Sequence, residues 1–194
     1  MGRKAGVAPD ETRASLLGAA AKVFARRGYD GASIAEITSE AGLTSGAIYA
    51  HYGSKAELFV ATLEAYGERD LDQLLSRDPP GLLDGLTSVG STFDRREPTE
   101  ESLLISAVIA ARRHPEVAGL LVGLMAERER ELTALVEAAQ EVGALDPGAS
   151  PAAVARLSMV IAFGSLLAGA LGAEPVDHDE WAALIARLVD ALKV

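Results

Sequence analysis

Hydrophobic positions recur along most of the chain at spacings of three and four, the period of a helix with one covered face. From Asp10 to Arg27, Leu16, Leu17, Ala20, Val23 and Phe24 share one side, and Gly28 stops the pattern. A second helix starts at Ser33, whose hydroxyl caps the chain while Glu36 reaches back. It turns Ile34, Ile37 and Ala41 inward and exits at Gly42. A third, short helix runs from about Thr44 to Tyr52. Ser54 and Glu57 open a fourth through Leu58, Phe59, Leu63 and Tyr66 towards Leu75, where Asp78-Pro79-Pro80-Gly81 halts it. Further helical stretches are predicted at 82–93, 100–113, 116–143, 151–172 and 179–192, with Pro98, Pro115, Pro147 and Pro175 in the gaps. Ser150-Pro151 puts a cap residue before a proline at the first helical position. No strand pattern, repeat or low-complexity tract interrupts this, so the fold expected is all-α with about nine helices.

Composition agrees: 49% of residues are hydrophobic and only 5% aromatic, with Ala and Leu prominent and β-branched runs scarce. Cysteine is absent, which excludes disulfides, thiolate metal sites and cysteine nucleophiles. The first residues carry Arg3 and Lys4 with no apolar stretch behind them, unlike a signal peptide. Leu157 to Ala173 has no charged residue, but it falls short of the ~20 residues of a membrane span and is rich in Gly, Ala and Ser. A cytoplasmic protein without a membrane segment is expected.

The net charge of −10 is unequally divided. Residues 1–55 hold seven Lys/Arg against five Asp/Glu, and the remainder holds eleven against twenty-three. Screening limits what a phosphate feels to roughly 8–10 Å, so only the N-terminal segment suits a DNA contact.

Two short helices joined by Ala41-Gly42-Leu43-Thr44 behind a longer one have the layout of a helix-turn-helix. On the third helix Ile48 and Tyr52, four apart, face inward with Leu43. Ser45, Gly46, Tyr49 and Ala50 then face solvent, flanked by Thr44, Ala47 and His51. Hydroxyls and imidazole suit phosphates or base edges, and a methyl such as that of Ala47 or Ala50 suits a thymine methyl. Lys55 adds a cation at a helix start.

The stretch from Gly28-Tyr29 through Ser33-Ile34-Ala35-Glu36-Ile37 and Ala41-Gly42-Leu43-Thr44-Ser45-Gly46-Ala47-Ile48-Tyr49-Ala50-His51-Tyr52-Gly53-Ser54-Lys55-Ala56-Glu57-Leu58 closely resembles the DNA-binding domain of TetR-family transcriptional regulators. The resemblance covers about residues 10–60. It implies DNA contacts from Ser33, Thr44, Ser45, Gly46, Tyr49, His51 and Lys55, largely at phosphates, with Ala35, Ala47 and Ala50 near the bases. It also implies residues 1–54 as the DNA-binding domain and 55–194 as a helical domain for effector binding and dimerisation. A repressor is expected, bound to double-stranded operator DNA as a homodimer and released by a small-molecule effector.

Relatives dimerise through their last two long helices, which here offer a small stripe (Ser158, Ala162, Ser165, Gly169, Gly172) and Leu184 and Leu188. The alternative is packing within one subunit. Effector-pocket candidates are Phe93, Leu104, Val108, Leu121, Met125, Met159, Phe163 and Trp181, each of which also suits plain core. The run Glu127-Arg128-Glu129-Arg130-Glu131 reads as a solvated helix face. His51, His114 and His178 lie far apart, and no P-loop, dinucleotide-binding glycine pattern or nucleophile elbow occurs, so neither an enzyme nor a cofactor is expected.

Overall fold

The computed structural model describes residues 9–67, 69–91, 98–174 and 176–194. Within them the regular structure is helical: α1 (Pro9–Gly31), α2 (Ile34–Ala41), α3 (Ser45–His51), α4 (Lys55–Gly67), α5 (Arg69–Leu75), α6 (Leu82–Ser91), α7 (Pro98–Arg113), α8 (Pro115–Glu141), α9 (Pro151–Ala170) and α10 (His178–Asp190). A 3-10 turn over Pro79–Gly81 precedes α6. The fourth helix expected over 54–75 corresponds to α4 and α5, which lie on either side of residue 68, outside the described residues. The chain divides into two compact units, residues 1–67 with 102–120, and 68–101 with 121–194.

In the first unit Leu16, Ala20, Val23 and Phe24 of α1 are fully buried with Ile37, Ile48, Leu58 and Phe59. Phe24 and Phe59 meet edge to face at 4.8 Å, and Tyr29 lies 5.1 Å from Phe59. The break expected at Gly28 sits inside α1, where that residue takes φ 68°, open to glycine but strained for residues with a Cβ. One short turn follows, ending with the Ala32 amide on the Gly28 carbonyl.

That last turn of α1 is tied to the segment joining α7 and α8. The Asp30 carboxylate accepts from Arg113 Nη1 at 3.0 Å and pairs with His114 Nε2. The His114 and Arg113 hydrogen bonds hold its carboxyl below the ordinary carboxylate range. The His114 ring also meets Tyr29 edge-on at 5.0 Å.

The second unit has its own core, in which Leu74, Leu82, Leu83, Val89, Leu132, Val136, Leu145, Val154, Ile185 and Val189 are buried together. Trp181 Nε1 donates to the Gly90 carbonyl at 2.8 Å, which satisfies the indole where it packs on this core. The charged run on α8 is not uniformly solvated. Arg128 turns inward, its side chain only 12% exposed, and pairs with Asp72 at 3.1 Å and Glu131 at 2.9 Å. Glu129 accepts from Arg156 of α9 at 2.6 Å. Periodicity marks apolar faces; it does not show that a guanidinium has a carboxylate waiting on another helix.

Two outcomes follow. A Cβ on Gly90 would stand 2.7 Å from Ile185 Cγ2, so Gly90→Ala should destabilise the protein by about 1–3 kcal/mol, read from the denaturant midpoint. Asp30 has a lowered folded-state pKa, so its contribution is present above the ordinary carboxylate range and is lost as pH falls through the folded value. Asp30→Asn should therefore be less stable than wild type at neutral pH, with the gap closing as pH falls below the ordinary carboxylate range. A pH-independent gap would contradict this.

Candidate nucleic-acid interface

The α2–turn–α3 segment is built from local rules. Ser33 caps α2 by accepting from the Glu36 amide at 3.1 Å. The Glu36 carboxylate, expected to reach back to this cap, instead pairs with Arg26 at 2.8 Å and Arg27 at 3.4 Å, because two cations on α1 outcompete one backbone amide. Thr38 is buried and returns its hydroxyl to the Ile34 and Ala35 carbonyls. Gly42 closes α2 at φ 66°, and the Leu43 amide reaches the Thr38 carbonyl at 2.9 Å.

Ile48 is fully buried and Tyr52 nearly so, whereas Tyr49 is 58% exposed. The Tyr52 hydroxyl accepts from Arg13 Nε at 3.3 Å, tying the end of α3 to α1. At the other junction Ser54 caps α4 by accepting from the Glu57 amide at 3.1 Å, and Glu57 reaches back to the Gly53 amide at 2.8 Å.

Most of the expected DNA-contacting residues are exposed. Ser33, Ala35, Thr44, Gly46, Tyr49, Ala50 and His51 are exposed. Ser45 and Ala47 lie on α3, with side chains outside the described set. Thr44 precedes α3 without capping it through its hydroxyl. Lys55 is half-buried: its ammonium donates to the Ala32 carbonyl at 2.8 Å and sits 4.5 Å over the Tyr29 ring. Burial lowers its pKa, against the raising effect of Asp30. One of three donors is thereby engaged, and sequence reasoning missed this second duty. Among the described residues, Lys22 pairs with Glu40 at 3.7 Å and Arg26 and Arg27 with Glu36.

Residues expected to line an effector pocket fall in both units. Phe93 lies outside the described residues. Leu104 is half-buried and Val108 is 62% exposed, both in the first unit. In the second, Leu121 and Met125 are half-buried, Met159 is buried and Phe163 is at the surface. Trp181 belongs to the core around Gly90 and Ile185. An open groove of about 410 Å³ between α8 and α9, lined by Ala126, Thr133, Ala134 and Ala152 among others, contains none of these candidates.

The small stripe on α9 lies mostly on the side turned towards its own unit. Ser158, Ala162 and Ser165 are half-buried, and the Ser158 hydroxyl bonds back to the Val154 carbonyl. Gly169 and Gly172 are exposed, yet a Cβ on Gly169 would stand 2.6 Å from Glu101 Oε1. The close approach at Gly169 is therefore to α7 of the same unit. Leu157, Val160, Phe163 and Leu167 of α9, with Leu171 just past its end, form a different, outward stripe, and Leu184 and Leu188 are exposed on α10. Their spacing of three and four was a visible signal, masked because α9 is apolar on every side.

Comparison with known proteins puts this geometry in context. Residues 16–62 match the family model described as bacterial regulatory proteins, tetR family. The chain is 43% identical over 67 residues to the HTH-type transcriptional activator FasR of Mycolicibacterium smegmatis, spanning 34% of this chain and 29% of that protein. It is 30% identical over 149 residues to the HTH-type transcriptional repressor NicS of Pseudomonas putida, spanning 73% of this chain and 70% of that one. The solved structure of GusR from Salmonella enterica superposes with a TM-score of 0.75 at 25% identity, covering 96% of this chain and 97% of that one. The helix-turn-helix, the ten described helices and the long match to NicS agree, and the chain belongs to the TetR family of bacterial regulatory proteins.

Proposed function

We propose that the protein regulates transcription, acting as a repressor that binds a palindromic operator as a homodimer in the cytoplasm and is released by a small, mostly apolar molecule. The observation that carries this is α3, whose apolar pair is buried in the core and whose polar and small residues face solvent behind a glycine turn. In this reading Ser33, Thr44, Ser45, Gly46, Tyr49, His51 and Lys55 meet phosphates, and Ala35, Ala47 and Ala50 lie near base edges. Residues 1–54 are the reader; residues 55–194 hold the effector and the partner subunit.

A seven-residue helix touches too few base pairs for useful specificity, so two readers are needed, with half-sites about 34–36 Å apart or a multiple of that. The outward stripe of α9 with Leu184 and Leu188 supports self-association. A run of large apolar side chains left in water forfeits roughly 1.5–3 kcal/mol for each one that a partner could cover. Effector coupling is reciprocal, of about 1–3 kcal/mol, or roughly 5–150-fold in operator affinity.

Binding, association and selection measurements test this reading. Lys55→Ala should weaken binding to all duplexes alike and lower the salt slope by about one. It should also lower the melting temperature, because the bond to Ala32 and the contact with Tyr29 go with it. Tyr49→Phe should weaken binding with the melting temperature unchanged. An altered sequence preference at unchanged salt slope in Lys55→Ala would refute its phosphate role. Val160→Glu with Leu167→Glu should give a monomer by sedimentation at micromolar concentration and abolish operator binding, whereas a dimer surviving both changes would place the interface elsewhere. Selection from a random duplex pool should return a two-fold symmetric site, and a ligand found by thermal shift should weaken its binding.

A further inference from the structure

The segment joining α7 and α8 reaches both ends of the helix-turn-helix. At the near end, Asp30 lies in the last turn of α1, three residues before the Ser33 cap, and takes donors from both Arg113 and His114. At the far end Ser54, the cap of α4, donates its hydroxyl to Glu116 Oε1 at 2.8 Å. Tyr29 stands between these points, edge-on to His114 and beneath the Lys55 ammonium, which itself bonds the Ala32 carbonyl. The residues flanking α2 and α3 are thus held from one short stretch, Arg113 to Glu116.

We propose that this stretch is a clasp that fixes the placement of the helix-turn-helix for DNA, with Asp30 as its central positioning residue. The proposal rests on the DNA-reading function above and names a control point outside the DNA-facing surface. A lone exposed ion pair contributes little. Here one carboxylate joins two donors on consecutive residues, an aromatic contact braces one of them, and a separate hydrogen bond holds the other end. Groups acting together in this way are expected to be non-additive. Asp30 is ionised at neutral pH, since both donors favour the carboxylate. A shift of Arg113 and His114 therefore drags the end of α1, and with it the start of α2, without any change at the residues that touch DNA.

The test uses the full chain and a duplex selected by the wild-type protein from a random pool. Affinity is read by anisotropy, and amide hydrogen exchange is followed over residues 29–41. Asp30→Lys sets a cation against Arg113 and His114. It should weaken binding at least about fivefold and speed exchange over that segment. Adding Arg113→Glu should recover most of both losses. Wild-type affinity and exchange in Asp30→Lys would overturn the proposal, as would a double variant no better than the single one. If Asp30→Lys does not fold, a cycle of Asp30→Asn and Arg113→Met decides: coupled effects support the clasp, additive ones refute it. If the wild type selects no duplex, the DNA-reading function fails, while the exchange measurements still decide the clasp.

Discussion

The burial of Ile48 and Tyr52 is the constraint on which the candidate DNA surface depends. A helix as short as α3 cannot hold itself together in water, because nucleation costs more than a few hydrogen bonds return. It exists only because these two side chains, one turn apart, lie in the core built by Phe24, Ile37 and Phe59. Fixing them inward also fixes Tyr49 and Ala50 outward, since neighbouring positions on a helix point about 100° apart. Stability and recognition are therefore one geometric fact. The surrounding bonds serve it: Gly42 sets the entry angle, and Arg13 grips the Tyr52 hydroxyl at the exit.

Charge plays a subtler part than the basic balance of the first 55 residues suggests. Glu36 and Glu40 answer Arg26, Arg27 and Lys22, and Lys55 shares its ammonium with Ala32. Exposed pairs of this kind are weak and rearrange easily, so they permit a phosphate to approach without forming a strong fixed cationic surface. α3 itself holds no lysine, arginine or carboxylate; its polar groups are hydroxyls and an imidazole, among small side chains. On the proposed reading, such a surface would work through many modest hydrogen bonds and close approach.

The sequence was most legible where local chemistry decides the structure. Gly28, the Ser33 and Ser54 caps, Gly42 and the spacing of Ile48 and Tyr52 each act within a few residues, and α1 to α4 follow from them. Where partners are distant the signal fades. Asp30 meets residues 83 and 84 positions away, and nothing beside it in sequence announces them. Glu36 could equally have completed its own capping box, and only the fold shows that Arg26 and Arg27 are nearer. In α9 the difficulty has another cause. A helix with so little charge carries no periodicity to separate its covered face from its open one, so the sequence left the small stripe open to either a subunit contact or packing within one subunit.

The open face of α9 also bears on what can cover it. With 20 residues and little charge, α9 is long and apolar enough to cross a bilayer. Lipid, however, would have to surround it, and here Val154, Ala155 and Met159 are buried in protein along one side. Arg156, within two turns of the capped end, is held by Glu129 of α8. The stripe from Leu157 to Leu171 stays exposed. A second copy of the chain, as proposed above, would bring the same patch to the contact, as a two-fold interface requires. Gly164, with nothing within 4 Å of where its Cβ would be, leaves room in that stripe for an opposing side chain between Val160 and Leu167. An interface between subunits on this face, as proposed above, would carry a two-fold axis of the kind a palindromic operator has.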